Sequence, residues 1–147
     1  VIDVMDRLTA KIKPNKIFMG EKDFQQIFLV KKFIQKKYKS KIISCKTIRD
    51  RNKLALSSRN FLLKKSELKK ASRLTQAIFF IKKQLIKEKN IEEFLVNKIK
   101  TLEKLFNIKI EYLEIRDVKD LKITKKVKNS KIFFAYHINQ IRLIDNL

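Results

Sequence analysis

Apolar residues at the beginning of the chain recur at the spacing of an α-helix. They occupy every third or fourth position up to Pro14, and the residue before a proline disfavours helical backbone. The pattern therefore predicts an amphipathic helix that ends just before this proline. Its apolar stripe consists of Val1, Val4, Met5, Leu8 and Ile12.

The following segment predicts a βαβ unit. A short apolar run over residues 16–19 ends at Gly20, a helical pattern covers residues 24–36, and a second apolar run extends from Ile42 to Ile48. Parallel pairing of the two strands would bring the loops at their carboxyl ends together, where α/β proteins bind ligands. Such a unit lacks partner strands and helices, so we expect further chain before it. The helical face consists of Ile27, Val30 and Ile34.

Two longer helices are predicted in the second half of the chain. Apolar residues at helical spacing run from Ser66 to Lys89, with lysines on the outer face. Asn90 can cap the next helix, and Glu93 follows it three residues later, as in a capping box. The predicted buried stripe of this helix consists of Ile91, Phe94, Leu95, Ile99, Leu102 and Leu105.

A small antiparallel sheet is predicted at the end of the chain. Short or alternating apolar runs cover residues 108–115, 131–136 and 140–144. Ile138 and Asn139 form the expected tight turn, because asparagine tolerates the positive φ that such turns require. The predicted fold class is therefore α/β, with a compact α+β unit in the last two-thirds of the chain.

Composition excludes several classes of protein. The 147 residues include one glycine and one proline, which excludes collagen-like and linker-rich chains, and the 44% apolar content is enough for a core. Cys45 is the only cysteine, so an intramolecular disulfide and a cysteine zinc cluster are excluded, and a reducing compartment fits best. No apolar stretch approaches the roughly 20 residues that cross a bilayer.

The strong positive charge has two interpretations. Thirty-seven Lys and Arg residues against 15 acidic ones give a formal net charge of +22, which would attract any polyanion. However, 30 of the 37 cations are lysines spread along the chain, as a biased codon composition would also produce. Nucleic-acid-binding domains concentrate cations on one face and interleave exposed aromatic residues. Charge alone therefore does not decide the function.

The first segment that could carry chemistry is GEKDFQQ, residues 20–26. It follows a strand and opens a helix, so backbone N–H groups and the helix dipole point toward any anion bound there. Gly20 lets a ligand approach the backbone, and Lys22 supplies a cation for phosphate. Asp23 can accept a hydrogen bond, and Gln26 can bind a polar substrate. A capped helix start with a solvated Lys22–Asp23 pair is the alternative.

The second such segment is LALSSRN, residues 54–60. Ser57 and Ser58 can donate hydrogen bonds to phosphate oxygens, and Arg59 offers a planar, permanently charged fork that suits a polyphosphate. These residues favour a phosphate-binding loop. A turn with a serine cap leading into the next helix is the alternative.

The two segments in this order and at this separation, with RLIDN at residues 142–146, closely resemble the pantothenate synthetase (pantoate–β-alanine ligase) family. The resemblance runs from the first residue to the last. It implies ATP-dependent condensation of pantoate with β-alanine through a pantoyl-adenylate intermediate, with Mg²⁺ as cofactor. It also implies the C-terminal part of a Rossmann-like nucleotidyltransferase domain at residues 1–52 and an α+β lid domain at residues 53–147, in a cytoplasmic enzyme that is a homodimer when full length.

The same resemblance implies roles for individual residues. Leu56 to Arg59 match the family's phosphate loop, which is similar in position and task to the KMSKS loop of class I aminoacyl-tRNA synthetases. Catalysis is expected from Lys22, Ser57, Ser58 and Arg59, pantoate binding from Gln26, and no residue is assigned to a metal. The residues expected to contact ATP are Gly20, Glu21, Lys22, Asp23, Ile48, Leu56, Ser57, Ser58 and Arg59.

Some positions depart from the family pattern. The usual glycine before LALSSRN is Lys53, the usual Ser or Thr helix cap after the loop is Lys64, and the usual hairpin glycine is Asn139. If the loop requires a positive φ at Lys53, the strain costs roughly 1 kcal/mol. The family's H-x-G-H segment is absent, and the sole histidine, His137, is expected to be a surface or packing residue.

We therefore expect the C-terminal half of a pantoate–β-alanine ligase, which binds pantoate, β-alanine and ATP and neither a membrane nor nucleic acid. The chain alone is expected to be inactive because half of the ATP site is missing. The alternative is a basic nucleic-acid-binding domain or a catalytically inactive relic. Steeply salt-dependent binding of RNA or DNA without a response to ATP would favour that alternative.

Overall fold

The computed structural model describes residues 1–147 and divides them into two compact units, Val1–Thr47 and Ile48–Leu147. The first unit contains α1 (Ile2–Ile12), β1 (Lys16–Gly20), α2 (Phe24–Val30), α3 (Lys36–Tyr38) and β2 (Lys41–Cys45), and a π-helical turn at Lys31–Gln35 joins α2 to α3. The second unit contains α4 (Lys65–Gln84), α5 (Ile91–Phe106), β3 (Lys109–Asp117), β4 (Ser130–Ile138) and β5 (Ile141–Asn146). None of the helices combines the length and apolar character of a membrane span.

The first unit is the predicted βαβ arrangement. Strands β1 and β2 pair in parallel, with Gly20 opposite Cys45. The predicted helical face, which consists of Ile27, Val30 and Ile34, is fully buried. It packs with Ile42 of β2 in one apolar cluster. Strand β2 ends at Cys45, so its predicted extension to Ile48 is wrong. The Ile48 carbonyl instead accepts a hydrogen bond from the Leu56 N–H at 2.9 Å, within the second unit.

Helix α1 ends where the sequence predicts, but its apolar stripe is only partly covered. Lys13 adopts a left-handed conformation with φ 51° and stops the helix directly before Pro14. Ile2 and Met5 pack against the core, and Thr9 is buried. The rest of the stripe is exposed to solvent. The exposed members are Val1, Val4, Leu8 and Ile12.

The second unit places α4 and α5 with a three-stranded antiparallel sheet of order β3-β4-β5. Helix α4 is shorter than predicted and gives way to a 3-10 turn at Leu85–Lys87. The cap of α5 is confirmed, because the Asn90 Oδ1 atom accepts from the Glu93 N–H at 3.4 Å. Burial of Leu105 is wrong: it is 65% exposed, and Phe106 is buried in its place.

The hairpin between β4 and β5 is one residue later than predicted. Ile138 pairs with Ile141 and is buried, so it belongs to β4 and its predicted place in the turn is wrong. The turn residues are the exposed Asn139 and Gln140. Asn139 has φ 53°, which confirms the positive φ expected of it. Burial explains the shift, since an isoleucine that packs into the core continues the strand while two polar residues face water.

The two compact units meet in sequence after Thr47, ahead of the predicted boundary after residue 52. Residues 48–56 fold back on themselves as an irregular hairpin, in which Arg49 and Ala55 form an antiparallel bridge. The hydrogen bonds of this hairpin tie its first residues to the second unit. The assignment of the two parts to an ATP-binding domain and a lid stays a prediction.

Candidate active site

The first unit holds the GEKDFQQ segment at the carboxyl end of β1. Glu21–Asp23 form a single 3-10 turn that leads directly into α2, which confirms the expected strand, turn and helix. Gly20 lies beside Cys45 at the end of the neighbouring parallel strand. The segment therefore occupies the edge of the sheet at which α/β proteins bind ligands.

The backbone of this segment does not explain why a glycine and an aspartate stand at its beginning. Gly20 is extended, with φ −71° and ψ 131°, and no heavy atom lies within 4 Å of a Cβ added there. Neither its backbone nor its neighbours require a glycine. Asp23 precedes α2 but makes no capping hydrogen bond with its side chain, which does not support the helix-cap alternative. Glu21, Lys22 and Gln26 are half-buried, and their ligand roles stay predictions.

In the second unit, a buried ion pair anchors the hairpin that precedes the LALSSRN loop. The two Nη atoms of Arg49 donate to the two carboxylate oxygens of Asp145 at 2.5 and 3.0 Å. Arg49 also donates to the carbonyls of Lys53 and Asn146 at 3.0 and 3.1 Å. Its side chain is 17% exposed and that of Asp145 is 5% exposed. Such a bidentate, mostly desolvated pair fixes the hairpin to the end of β5.

The turn of this hairpin contains Lys53, the residue that stands in place of the family's usual glycine. The Asp50 Oδ1 atom accepts from the N–H groups of Asn52 and Leu54 at 2.8 and 2.9 Å. Lys53 completes the turn with φ 73°, a left-handed conformation that favours glycine. The loop therefore does require a positive φ at this position.

The LALSSRN loop is buried at its beginning and exposed at its end. Leu54 and Ala55 are buried, whereas Ser58 and Arg59 are exposed on a 3-10 helix, Ser58–Leu62. The Ser57 Oγ atom accepts from the Arg59 N–H at 3.3 Å, so the serine-cap alternative is correct for Ser57. A hydroxyl that accepts one bond can still donate its own proton. The cap and the predicted phosphate role are therefore compatible.

The guanidinium of Arg59 is bound to the RLIDN segment. Its Nη1 atom donates to the Arg142 carbonyl at 2.6 Å. The Arg142 side chain in turn donates to both carboxylate oxygens of Glu111 at 2.6 and 3.0 Å. This pairing with Arg142 lowers the pKa of Glu111 to about 2. His137 lies 3.4 Å from the same carboxylate on the sheet surface, in keeping with the surface or packing role expected of it.

An open cavity of about 530 Å³ borders the loop. The hydroxyl-bearing Ser57 and Ser58 lie on its wall, and Phe61, which is 91% exposed, lies beside them. Hydroxyls next to apolar side chains suit a ligand that has both phosphate and ring or chain surfaces. The full lining consists of Asp50, Leu54, Leu56, Ser57, Ser58, Asn60, Phe61 and Leu68.

The predicted site residues therefore fall into two groups. Gly20, Glu21, Lys22, Asp23 and Gln26 lie in the first unit, at the end of β1 and the beginning of α2. The second unit brings together Ile48 and Leu56 to Arg59, because the hairpin bond joins Ile48 to Leu56.

Sequence reasoning missed the residues that hold the loop in place. Glu111 and Arg49 were given no role, and Asp145 was noted only as part of RLIDN. An acidic residue directly after the apolar pair Leu143–Ile144 of a strand was the available signal for Asp145, since a buried carboxylate requires a cationic partner. Nothing local pointed to Glu111.

The chain offers no cluster of three or more His, Cys, Asp or Glu side chains that could hold a metal ion. A dedicated protein cage for the expected Mg²⁺ is therefore not formed by these residues. Mg²⁺ usually keeps several waters and is bound through one or two carboxylates together with substrate phosphates. Mg²⁺ as a cofactor stays a prediction.

Comparison with known proteins identifies relatives over the whole chain. It is 38% identical to a pantothenate synthetase of Flavobacterium psychrophilum, covering 98% of this chain and 52% of that protein. It is also 38% identical to a bifunctional pantoate ligase/cytidylate kinase of Prochlorococcus marinus, covering 99% of this chain and 28% of that protein. The chain spans about half the length of the curated pantothenate synthetases it matches.

Solved structures give the same result for the fold. The pantothenate synthetase of Thermus thermophilus matches with a TM-score of 0.86 at 28% identity, over 98% of this chain and 53% of that one. The pantoate-beta-alanine ligase of Francisella tularensis, complexed with beta-gamma ATP and beta-alanine, matches with a TM-score of 0.68 at 31% identity, over 98% of this chain and 47% of that one. Placement of the matched region in the C-terminal half of the relatives stays a prediction.

The sequence model of the Pantoate-beta-alanine ligase family matches residues 1–147, the whole chain. This match agrees with the motifs, with the named relatives and with the fold, and it confirms the resemblance found in the sequence. The chain belongs to the pantoate–β-alanine ligase family.

Proposed function

We propose that this chain forms part of an enzyme that condenses pantoate with β-alanine at the expense of ATP. The observation that carries the proposal is a loop, anchored at both ends, in which Ser58 lines an open cavity and is followed by the exposed Arg59. Family membership supports the reaction, and the Francisella tularensis relative, complexed with beta-gamma ATP and beta-alanine, supports the substrates. We further propose that the complete enzyme is cytoplasmic and homodimeric.

The proposed reaction activates a carboxylate before it forms an amide. A carboxylate oxygen of pantoate attacks the α-phosphorus of ATP, and pyrophosphate leaves to give a pantoyl adenylate. The amine of β-alanine then attacks the acyl carbon, loses a proton, and AMP leaves with the electrons of the broken acyl–oxygen bond. The main catalytic demand is stabilisation of charge on the phosphates and orientation of two small acids.

The proposal assigns these tasks to individual residues. Arg59 binds phosphate oxygens through its remaining N–H groups while one N–H stays on the Arg142 carbonyl. Ser57 and Ser58 donate to the same phosphates. In the first unit, Lys22 is assigned to ATP and Gln26 to pantoate. The remaining nucleotide contacts are assigned to Gly20, Glu21, Asp23, Ile48 and Leu56. Mg²⁺ would neutralise phosphate charge when bound with ATP.

The test uses a hybrid in which this chain replaces the matched region of the Flavobacterium psychrophilum relative. AMP formation that requires both pantoate and β-alanine is the expected activity, and the 147-residue chain alone should show none. In the hybrid, Arg59→Ala should lower adenylate formation at least tenfold, because it removes a charge-assisted contact to the phosphates, typically about 1.5–3 kcal/mol.

The matched control is Arg7→Ala. Arg7 lies on α1, its side chain is 80% exposed, and it forms an ion pair with the exposed Asp3. This variant should keep the activity of the unmodified hybrid. An Arg59→Ala hybrid with unchanged rates would remove the assignment of Arg59. AMP formation by the isolated chain would contradict the expectation that it holds only part of the site.

A further inference from the structure

The hairpin between β4 and β5 binds the segment after the LALSSRN loop at a second point, beyond its contact with Arg59. The side-chain Nδ2 atom of Asn139, in the hairpin turn, donates to the Oε1 atom of Glu67 in the first turn of α4. Arg142, on β5 of the same hairpin, accepts from Arg59 through its carbonyl. One hairpin therefore binds both ends of the segment from Arg59 to Glu67.

Glu67 also caps the beginning of α4. Its Oε2 atom accepts from the backbone N–H of Lys64, the residue that precedes the helix, at 2.7 Å. Lys64 makes no capping bond with its own side chain, because an ammonium group has no acceptor. Both oxygens of one carboxylate are therefore occupied, one by the beginning of α4 and the other by the hairpin. Hydrogen bonds to an ionised group are stronger than those between neutral groups.

The segment between the two contacts is held together by its own hydrogen bonds. The Leu63 N–H donates to the Asn60 carbonyl at 3.2 Å, and the Asn60 N–H donates to the Ser57 carbonyl at 3.0 Å. The Asn60 side chain donates to the Ala55 carbonyl at 3.0 Å, and Leu63 is buried. A displacement of the beginning of α4 is therefore passed back to the loop.

We propose that Asn139 is a positioning residue that acts through Glu67 to fix the 3-10 helix Ser58–Leu62 on the β4–β5 hairpin. The Asn139–Glu67 contact, called the latch below, thereby holds Arg59 in the orientation that binds phosphate. A preorganised group loses less conformational freedom when its ligand binds, so affinity for the ligand is higher. The inference rests on the proposed function for the identity of that ligand, whereas the latch lies wholly within the second unit.

The first test compares Asn139→Gly with Gln140→Gly in the 147-residue chain. Asn139 has φ 53°, which glycine adopts without strain, so Asn139→Gly removes the amide and keeps the turn. Hydrogen exchange of the Arg59, Asn60 and Leu63 N–H groups, measured by NMR, should become at least fivefold faster because the segment opens more often. The matched control, Gln140→Gly, changes the exposed neighbour in the same turn and should leave these rates unchanged.

The second test is a double-mutant cycle of Asn139→Gly and Glu67→Ala in the hybrid enzyme. Each single variant should raise the KM for ATP at least threefold and leave the KM for pantoate unchanged, because the latch holds the phosphate loop and not the residue assigned to pantoate. The double variant should have the KM for ATP of Glu67→Ala alone, because Asn139 acts only through Glu67.

Several outcomes would overturn the proposal. Additive effects of the two substitutions would mean that Asn139 acts independently of Glu67. Unchanged exchange rates in Asn139→Gly, or equal changes in Gln140→Gly, would mean that the latch does not hold the segment. Faster exchange with an unchanged KM for ATP would refute the positioning role. A hybrid that is inactive in every form would contradict the proposed function alone, because the exchange rates test the latch without turnover.

Discussion

Lys53 illustrates how one side chain can oppose the conformation that its loop requires. Lys53 has φ 73°, and its N–H group donates a hydrogen bond to the Asp50 carbonyl. The guanidinium of Arg49 donates a hydrogen bond to the Lys53 carbonyl, which a different backbone conformation would break. A non-glycine residue in the left-handed region costs roughly 1 kcal/mol. The buried Arg49–Asp145 pair stabilises the surrounding hairpin against this strain.

Lys53→Gly should raise the free energy of unfolding by about 1 kcal/mol, because it removes the steric cost of the left-handed conformation. Urea denaturation of the isolated chain measures the change. Lys53→Ala is the control: it removes the same long side chain but keeps the Cβ, so it should give no such gain. Equal stability of the glycine and alanine variants would show that the strain is absent.

The β-sheet of the second unit positions the loop through an ion pair across its strands. Glu111 has no Cα partner in the register of β3 with β4, which is irregular between Ile110 and Tyr112. Such a bulge re-aims a side chain. Glu111 reaches Arg142 on β5, and the backbone of Arg142 holds Arg59. The sheet therefore connects a β-bulge to the guanidinium of the candidate site.

Glu111→Gln should lower the melting temperature at neutral pH, because it removes a carboxylate that accepts two bonds from Arg142. The pKa of Glu111 is lowered in the folded state to about 2, from an ordinary value of 4.5. The stabilisation is therefore fully present at pH values above the ordinary pKa of 4.5, and it is lost as the pH falls toward about 2. Calorimetry across this range should show the two melting temperatures converging at low pH.

The control for this experiment is Glu92→Gln. Glu92 pairs with Lys125 at 3.3 Å, but both side chains are largely exposed, so little change is expected at any pH. A difference between wild type and Glu111→Gln that stays constant down to about pH 2 would contradict the electrostatic origin of the effect.

At the scale of the whole molecule, the net charge of +22 is the dominant electrostatic property. Like charges repel one another, and a net charge far from zero destabilises the compact state. Most of the ion pairs between basic and acidic side chains are at the surface, such as Arg7–Asp3 and Lys125–Glu92, so they offset only part of this repulsion.

The melting temperature of the chain should therefore rise between about 10 and 150 mM NaCl, because the Debye length falls from about 30 to about 8 Å over that range. Differential scanning calorimetry at neutral pH measures this shift. A melting temperature that does not change or that falls with salt would mean that repulsion does not limit stability. Sucrose at matched osmolality is the control for effects that do not depend on charge.

The sequence by itself determined the features that depend on neighbouring residues. The helical face of Ile27, Val30 and Ile34, the cap at Asn90 and the positive φ of Asn139 each follow from spacing or from the chemistry of one side chain. The two motifs and their order indicated the family, since motif identity is a property of the sequence alone. The local structure of GEKDFQQ between a strand and a helix was also predictable.

Only the tertiary structure decided what depends on residues far apart in the chain. Arg49 and Asp145 are separated by 96 residues, and no local pattern pairs them. Leu105 was predicted to be buried, but burial requires an element that covers the residue, and periodicity does not say whether one is present. The exposed apolar stripe of α1 illustrates the same point. The hydrogen bond from Arg59 to the Arg142 carbonyl also joins distant residues, because it forms only when the sheet has brought β5 beside the loop.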